Sequence, residues 1–310
     1  MTQATAVIIA DSISPDGIRL TTFQLRYWRP IHSELMTHRV FSRNAGSSRA
    51  RPSAKIIEQV RNEPWGPIHW GANQAGMQAL EQIQHVGHAK DRWLWAAQQA
   101  ADAAEGMLGI NLHKQIVNRI LEPFTYIDVV VTATDYANWF ALRDHPDAQP
   151  EIQELARLMK AEYETSLPKE LSVGEWHLPY ITQIDWEDAY EYDMAHGGVG
   201  DEVAALGLLK KASAARCARV SYKPFDQDNP SIEADLKLFE KLFGSSPMHA
   251  SPAEHIASPD TLSACEHVHY TASDDDRDMP CNCWDNPKLQ ANFRGWIQFR
   301  KTLENEFVPG

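Results

Sequence analysis

Residues 37–49 place a histidine, three arginines and several hydroxyl groups within one short stretch. The stretch reads THRVFSRNAGSSR, so His38 and Arg39 precede the small residues Ala45 to Ser48, and Arg49 follows them. Guanidinium groups form paired hydrogen bonds with phosphate oxygens, and a Gly/Ser turn brings backbone N–H groups close to a ligand. The stretch is therefore suited to phosphate binding, although a solvated helix end with a polar turn has the same composition.

The residues before this stretch predict a helix that carries the His-Arg pair. Apolar side chains recur at helical spacing behind Pro30, a residue that helices tolerate in their first turn. They are Ile31, Leu35, Met36, Val40 and Phe41. We expect this helix to deliver His38 and Arg39 to the mouth of the Gly/Ser turn.

Two further arginines lie in predicted helices with apolar neighbours. Arg119 lies within residues 113–123, and Arg143 ends a second apolar segment. An arginine among apolar side chains needs an anionic partner. A salt bridge to one of the many carboxylates and a bound anion both satisfy that need.

The motif in residues 37–49 resembles the signature of the flavin-dependent thymidylate synthases. That signature is Arg-His-Arg, seven residues and a serine, and His38, Arg39 and Ser47 match it. The departures are Thr37, Ala45 and Glu34, where the family has an arginine, an acidic residue and often a glutamine.

Three other segments extend the resemblance. Residues 138–151 contain Asn-x₄-Arg and then Ala-Gln-x-Glu, with Asp147 where the family usually has a flavin-contacting histidine. Residues 218–222 read Ala-Arg-Val-Ser-Tyr, and residues 249–255 read His-Ala-Ser-Pro-Ala-Glu-His. In the family these two segments precede the Arg-His-Arg motif, whereas here they follow it. The chain therefore resembles a circularly permuted, phage-type homologue, a rearrangement that folds tolerate when the old termini lie close together.

The hydrophobic pattern predicts an α+β fold in which helices pack on a mostly antiparallel sheet. The resemblance implies a flavin-dependent thymidylate synthase-like fold with its elements in permuted order. It covers residues 18–50, 110–160 and 212–257, within a single domain 1–310 that has a possible joint near 195–201. The predicted elements are a strand at 18–28, helices at 54–61 (with Ser53 as N-cap), 77–106, 112–121 and 150–165, and a helix capped by Ser231.

The resemblance implies C5 methylation of dUMP to dTMP without a protein nucleophile. FAD would be the cofactor, methylenetetrahydrofolate and NADPH the co-substrates, and a homotetramer the assembly. The implied catalytic residues are Arg143 and Ser47. The implied substrate-binding residues are Ser47, Ser48, Arg49, Arg119 and Arg143. The implied cofactor-binding residues are His38, Arg39, Asn138, Ser221, Ser251 and His249. The three departures and Asp147 leave open C5 hydroxymethylation of a pyrimidine deoxynucleotide, or a non-catalytic nucleotide- and FAD-binding homologue.

The composition limits the other classes of function. There are 42 acidic and 29 basic side chains among 310 residues, which gives a net charge of −13. Such a balance argues against a general nucleic-acid or anionic-membrane surface but allows a local arginine cluster. Four cysteines without a framework spacing, no basic leader and no long apolar run predict a cytoplasmic, soluble protein.

Two segments near the C-terminus have alternative interpretations. Cys265, His267 and His269 with Cys281 and Cys283 supply possible zinc ligands, but their one-residue spacing is tighter than usual, so no metal site is predicted. Residues 292–301 are aromatic and basic. They could stack a base or pterin ring, or form an amphipathic C-terminal helix.

Overall fold

A computed structural model of the chain describes residues 4–221, 230–265, 281–304 and 306. The strands are β1 (Thr5–Ile13), β2 (Arg19–Trp28), β3 (Ser42–Ala45), β4 (Tyr126–Ala133), β5 (Lys169–Glu170), β6 (Ala257–Pro259), β7 (Leu262–Cys265), β8 (Cys281–Trp284) and β9 (Trp296–Gln298). The α-helices are α1 (His32–Leu35), α2 (Ser53–Asn62), α3 (Val86–Gly109), α4 (Lys114–Val117), α5 (Ala137–Arg143), α6 (Pro150–Thr165), α7 (Gln183–Ala195), α8 (Glu202–Arg219) and α9 (Ile232–Phe243). No helix in these ranges has both the length and the apolar character needed to cross a membrane.

A five-stranded sheet in the order β3-β4-β2-β1-β5 forms the centre of the fold. The β1–β2, β2–β4 and β3–β4 pairs are antiparallel, and the short β1–β5 pair is parallel. The two-stranded pairs β6–β9 and β7–β8 are also antiparallel. The predicted α+β class with a mostly antiparallel sheet is confirmed.

One face of the sheet is apolar and carries the main core. Successive side chains of a strand point to opposite faces, so Phe23, Leu25 and Tyr27 of β2 share a face with Val129 and Val131 of β4. All five side chains are fully buried. They pack against α5 and α6, and α6 has the predicted bounds. Full burial of side chains of this size stabilises by about 1.5–3 kcal/mol each.

The opposite face carries a buried row of hydrogen-bonded polar groups. Ser12 Oγ contacts His177 Nδ1 at 2.8 Å, and Thr22 Oγ1 contacts His177 Nε2 at 2.7 Å. Thr22 and Thr132 are 2.7 Å apart, and Thr132 Oγ1 lies 2.8 Å from His255 Nδ1. All five side chains are at most 5% exposed. The row therefore links three strands of the sheet to two distant segments that cover it.

Helices α7, α8 and α9 are joined by a buried ion cluster. Arg216 contacts Asp185 at 2.6 Å and Asp235 at 2.8 Å, and Arg219 contacts Asp235 at 2.8 Å. Buried ions need such pairing, because a lone buried charge costs several kcal/mol. Arg219 of the Ala-Arg-Val-Ser-Tyr segment thus anchors the end of α8.

Three helix boundaries that the sequence predicted between β2 and α4 are wrong. The helix before the motif ends at Leu35, because the Thr37 hydroxyl donates to Glu34 O (2.7 Å) and His38 packs among aromatic rings instead. Pro52, not Ser53, is the N-cap of α2, and the buried Ser53 hydroxyl has no hydrogen-bond partner among the described residues. The long helix begins at Val86 rather than 77, because residues 70–83 form their own backbone hydrogen bonds as a loop.

Two later boundaries also differ from the sequence prediction. Residues 112–121 form only the short α4, which is followed by a 3₁₀ segment, Asn118–Phe124, that contains Pro123. Residues 292–301 do not form a helix: β9 pairs with β6, and a 3₁₀ turn, Phe299–Thr302, follows. The predicted N-cap Ser231 is confirmed, since its hydroxyl accepts a hydrogen bond from Ala234 N at 3.3 Å.

The two buried histidines predict a marked loss of stability in acid. Burial lowers the pKa of His177 and of His255 to about 3. Because the unfolded chain binds protons near pH 6.5 and the folded chain does not, stability is fully present above that pH and falls toward pH 3. Each histidine adds about 1.4 kcal/mol per pH unit to the slope. Urea unfolding at several pH values measures it.

His177→Gln should remove about half of that histidine-dependent slope, while the control His145→Gln, at an exposed side chain, should leave it unchanged. Equal slopes in wild type and both variants would contradict the assignment.

Candidate functional site

His38 lies in an aromatic pocket directly after α1. Its ring stacks on Phe41 with a centroid distance of 5.6 Å and meets the Trp139 ring edge-on at 4.8 Å. Its side chain is buried, and its backbone carbonyl accepts a hydrogen bond from Arg43 at 2.7 Å. Packing around His38, rather than a continuation of α1, therefore holds the motif in place.

Arg143, at the end of α5, is the hub of this pocket. Its NH1 donates to Glu34 Oε2 (2.9 Å), its Nε to His38 Nε2 (3.1 Å) and its NH2 to Thr37 Oγ1 (3.3 Å). The arginine side chain is 21% exposed, so it is partly desolvated but still accessible to solvent. The structure thus brings together two residues that sequence reasoning had matched separately, His38 and Arg143.

The contact with Arg143 fixes the protonation of His38. Burial lowers the pKa of His38, and the charges of Arg143 and Arg43 lower it further. Since Arg143 donates to Nε2, the neutral ring carries its proton on Nδ1. His38 is therefore neutral at pH 7, and its Nε2 acts as an acceptor.

The Gly46–Ser48 turn is fixed by three backbone-directed hydrogen bonds. Gly46 N donates to Asp128 O at 2.7 Å, Ser47 N to Ser221 O at 2.9 Å, and Asn118 Nδ2 to Ser48 O at 2.6 Å. Ser221, whose motif lies far along the chain, therefore adjoins the turn. Its backbone carbonyl makes the contact.

The turn formed by residues 251–255 packs beside β3. Its His255 bonds to Thr132 of β4, and Glu254 pairs with Arg300. Ser251 and the preceding His249 are exposed on its outer side. The 249–255 segment thus lies against β3, the strand formed by the middle of the motif.

Of the remaining predicted site residues, Ser48 is buried, which differs from its expected role in binding substrate, and Ser47 is half-buried, whereas the others are exposed. Arg39, Arg49 and Asn138 form no side-chain hydrogen bond or ion pair with any residue that the structure describes. Arg119 differs from the expectation: it lies on the 3₁₀ segment, is 55% exposed and pairs with Glu122 at 2.9 Å. Its neighbour Asn118 carries the contact to Ser48. An exposed pair of this kind contributes little to stability, so Arg119 remains available to an anion.

Sequence reasoning missed several residues that shape the site. Arg29 donates to Gly46 O at 2.9 Å, and Glu34, which the sequence indicated only as a departure from the family motif, accepts a hydrogen bond from Arg143 at 2.9 Å. The Asp128 side chain pairs with Arg26 at 2.6 Å behind the turn. A charged residue inside the apolar run of β4 was the one signal in the sequence that could have indicated Asp128. The possible zinc ligands His267 and His269 lie outside the described residues.

Comparison with known proteins identifies one family. A sequence model of the family described as thymidylate synthase complementing protein matches residues 19–169. No curated protein matches the chain. The matched residues include the His38–Ser47 motif and Arg143.

The chain is also similar to solved structures. One is a UMP/dUMP methylase, PolB from Streptomyces cacaoi, bound with 5-Br UMP: the identity is 18% and the TM-score 0.41, over 53% of this chain and 89% of that chain. The same enzyme bound with 5-Br dUMP gives 16% and 0.41, over 53% and 90%. The flavin dependent thymidylate synthase ThyX from Helicobacter pylori, complexed with FAD and dUMP, gives 15% and 0.32, over 46% and 67%.

The close approach of Gly46 to the sheet predicts that its substitution by alanine is costly. An added Cβ would lie 3.3 Å from Asp128 O and 3.5 Å from Val220 O. Asp128 belongs to a strand paired on both sides, so it cannot move away. We expect Gly46→Ala to destabilise by about 1–3 kcal/mol in urea unfolding.

Gly106→Ala is the matched control, because a Cβ at Gly106 in α3 meets nothing within 4 Å. It should stabilise by about 0.5–1 kcal/mol. A neutral Gly46→Ala would contradict the tight approach.

Proposed function

We propose that this chain, a member of the thymidylate synthase complementing protein family over residues 19–169, methylates C5 of dUMP to dTMP with FAD as cofactor. Methylenetetrahydrofolate and NADPH would be its co-substrates, and a homotetramer its assembly. The observation that carries the proposal is the convergence of His38, Arg143 and the Ser47 turn with Ser221 from a distant segment.

The residues near the motif fit the chemistry of FAD. Arg39, Asn138 and Ser251 are exposed hydrogen-bond donors without partners in the described part of the chain, and phosphate and hydroxyl oxygens accept from such groups. His38, beside Arg39, and His249 would complete the contacts. When bound, FAD would supply the redox step of the methylation, and the protein would supply binding and orientation.

Arg143 is suited to polarise the pyrimidine. Its guanidinium is partly desolvated and held in one orientation by Glu34, His38 and Thr37. A uracil ring that loses its N3 proton gains negative charge, which a pre-oriented guanidinium stabilises. The same charge makes C5 more nucleophilic, which is the requirement for accepting a one-carbon group.

The Gly46–Ser48 turn and Arg49, which follows it, are suited to binding the nucleotide phosphate. Arg49 is exposed and free of carboxylate partners among the described residues, Arg119 stands on the adjoining segment, and the half-buried Ser47 offers a hydroxyl. The backbone bonds of Gly46 and Ser47 keep this turn rigid before a ligand arrives. Rigidity matters because binding then costs less conformational entropy.

Cys217, near the site at the end of α8, is not suited to nucleophilic catalysis. It is fully buried, and burial raises the pKa of its thiol. A thiol that stays protonated is a poor nucleophile. This supports a reaction without a covalent enzyme intermediate at that residue.

Thr37 favours a second candidate, because its hydroxyl fills the space beside Arg143 where the family has an arginine. A site with one cation fewer could release a different C5 product, such as hydroxymethyl, or bind nucleotide and FAD without turnover.

Purified protein should bind FAD and form dTMP from dUMP when methylenetetrahydrofolate and NADPH are supplied. The visible absorbance of bound oxidised flavin and chromatography of the product measure the two steps. Flavin binding with 5-hydroxymethyl-dUMP as product would select the hydroxymethylation candidate, and flavin binding without turnover the non-catalytic one. Colourless protein that also fails to bind added FAD would refute the flavin assignment.

Arg143 and Arg49 should differ in which kinetic constant they control. Arg143→Lys should lower kcat by on the order of 10²-fold, because a developing charge loses its oriented donor. Arg49→Lys should mainly raise KM for the nucleotide. The phosphate is charged throughout the reaction, and the lysine ammonium is a point charge that cannot form the paired hydrogen bonds of a guanidinium. Steady-state kinetics with dUMP measures both, and an effect of Arg143→Lys on KM alone would show the assigned roles to be wrong.

A further inference from the structure

Asn292, in the C-terminal part of the chain beyond residues 19–169, reaches the motif directly. Its Nδ2 donates to Val40 O at 2.8 Å and to Ser42 Oγ at 3.1 Å. Val40 and Ser42 lie between His38 and the Gly46–Ser48 turn. A side chain about 250 positions away thus contacts the middle of the motif.

Gln298, at the end of β9, extends this contact to the 251–255 turn. Its Nε2 lies 3.1 Å from Glu254 O, 3.1 Å from Asn292 Oδ1 and 3.4 Å from Ser42 Oγ, and its side chain is 1% exposed. The amide nitrogen has two hydrogens, so the two nearer oxygens are the principal acceptors. The buried Gln298 amide therefore links the 251–255 turn to the His38–Ser48 segment.

The strand that Asn292 and Gln298 contact is short and has a strand partner on one side. Among the described residues, β3 has four residues, lies at the edge of the five-stranded sheet and pairs with β4, while the 251–255 turn packs beside it and Asn44 Nδ2 donates to Cys217 O at 3.4 Å. An edge strand has backbone N–H and C=O groups on one side without a strand partner, so side-chain hydrogen bonds contribute more to holding it in place. A displacement of about 1 Å in a site is enough to lower catalysis strongly.

We propose that Gln298 and Asn292 are positioning residues that hold the His38–Ser48 segment against the 251–255 turn. In doing so they set the spacing between the nucleotide and flavin contacts. The assignment of those contacts rests on the proposed function, whereas the contacts made by the two amides do not. Apolar side chains of the same size would fill the space but could not fix the position of β3.

Gln298→Met, which keeps the volume and removes the amide, tests the proposal by hydrogen exchange. The amides of residues 38–48 should exchange about fivefold to tenfold faster than in wild type, because Asn292 loses the buried hydrogen bond that orients it toward Val40 and Ser42. The matched control is Gln290→Met in the same part of the chain, since Gln290 is buried, donates to Asp260 (2.7 Å) and accepts from Gly295 N (3.0 Å), and among the described residues does not contact the motif. Exchange of residues 38–48 should stay at the wild-type rate in this control.

A second pair of variants covers the case in which Gln298→Met does not fold. Asn292 is exposed, so Asn292→Ala should fold and should accelerate exchange of residues 38–48 in the same way. Arg294→Ala, at a nearby exposed position, is its control. Equal acceleration in variants and controls, or none in any of them, would overturn the positioning role.

The affinity for FAD separates this inference from the proposed function. Gln298→Met should weaken FAD binding and shift the bound flavin spectrum, whereas Gln290→Met should change neither. Absence of FAD binding in wild type would refute the flavin assignment, while the exchange rates would still decide the positioning role.

Discussion

The buried polar row from Ser12 to His255 is the constraint on which the rest of the structure depends. A hydroxyl or imidazole that is removed from water must find a hydrogen-bond partner, or it costs about 1–3 kcal/mol. The face of the sheet that carries Thr22 and Thr132 can therefore be covered only by segments that bring matching polar groups to it. His177 and His255 bring such groups to the sheet. Their hydrogen bonds to Thr22 and Thr132 fix where the segment of each histidine lies along the strands.

The same constraint explains how segments that are far apart in the chain come to lie together. His255 fixes the 251–255 turn, and the ion cluster of Arg216 and Arg219 fixes the end of α8, where the Ser221 carbonyl meets the Ser47 N–H. Neither contact depends on which segment comes first in the chain. Packing and hydrogen bonding act between surfaces, so the order can change as long as the connections can span the distances.

Charge is arranged locally in a chain whose net charge is −13. The buried Arg216 is paired with two aspartates, and the half-buried Arg143 is paired with Glu34. Arg39 and Arg49 are exposed and unpaired among the described residues. Carboxylates elsewhere on the surface of this acidic protein repel an anionic ligand. The unpaired arginines are therefore the groups that attract it.

The sequence by itself determined the features that depend on local patterns. The period of apolar residues gave α6 at its observed bounds, the β-branched and aromatic run gave β2, and Ser231 gave the start of α9. The motif residues were also readable, since His38, Arg143 and Ser47 were matched by type and spacing. Local propensity suffices where the side chains of one element decide its conformation.

Only the tertiary structure decided how these residues act. The contacts Arg143–His38, Ser47–Ser221 and Gln298–Ser42 join positions about 105 to 256 residues apart, and no pattern in the sequence encodes such pairs. The short α1 has the same cause: apolar spacing predicted a longer helix, but the aromatic pocket around His38 stabilises a turn instead. Tertiary packing outweighs helix propensity there because each helical residue gains only a few tenths of a kcal/mol from propensity.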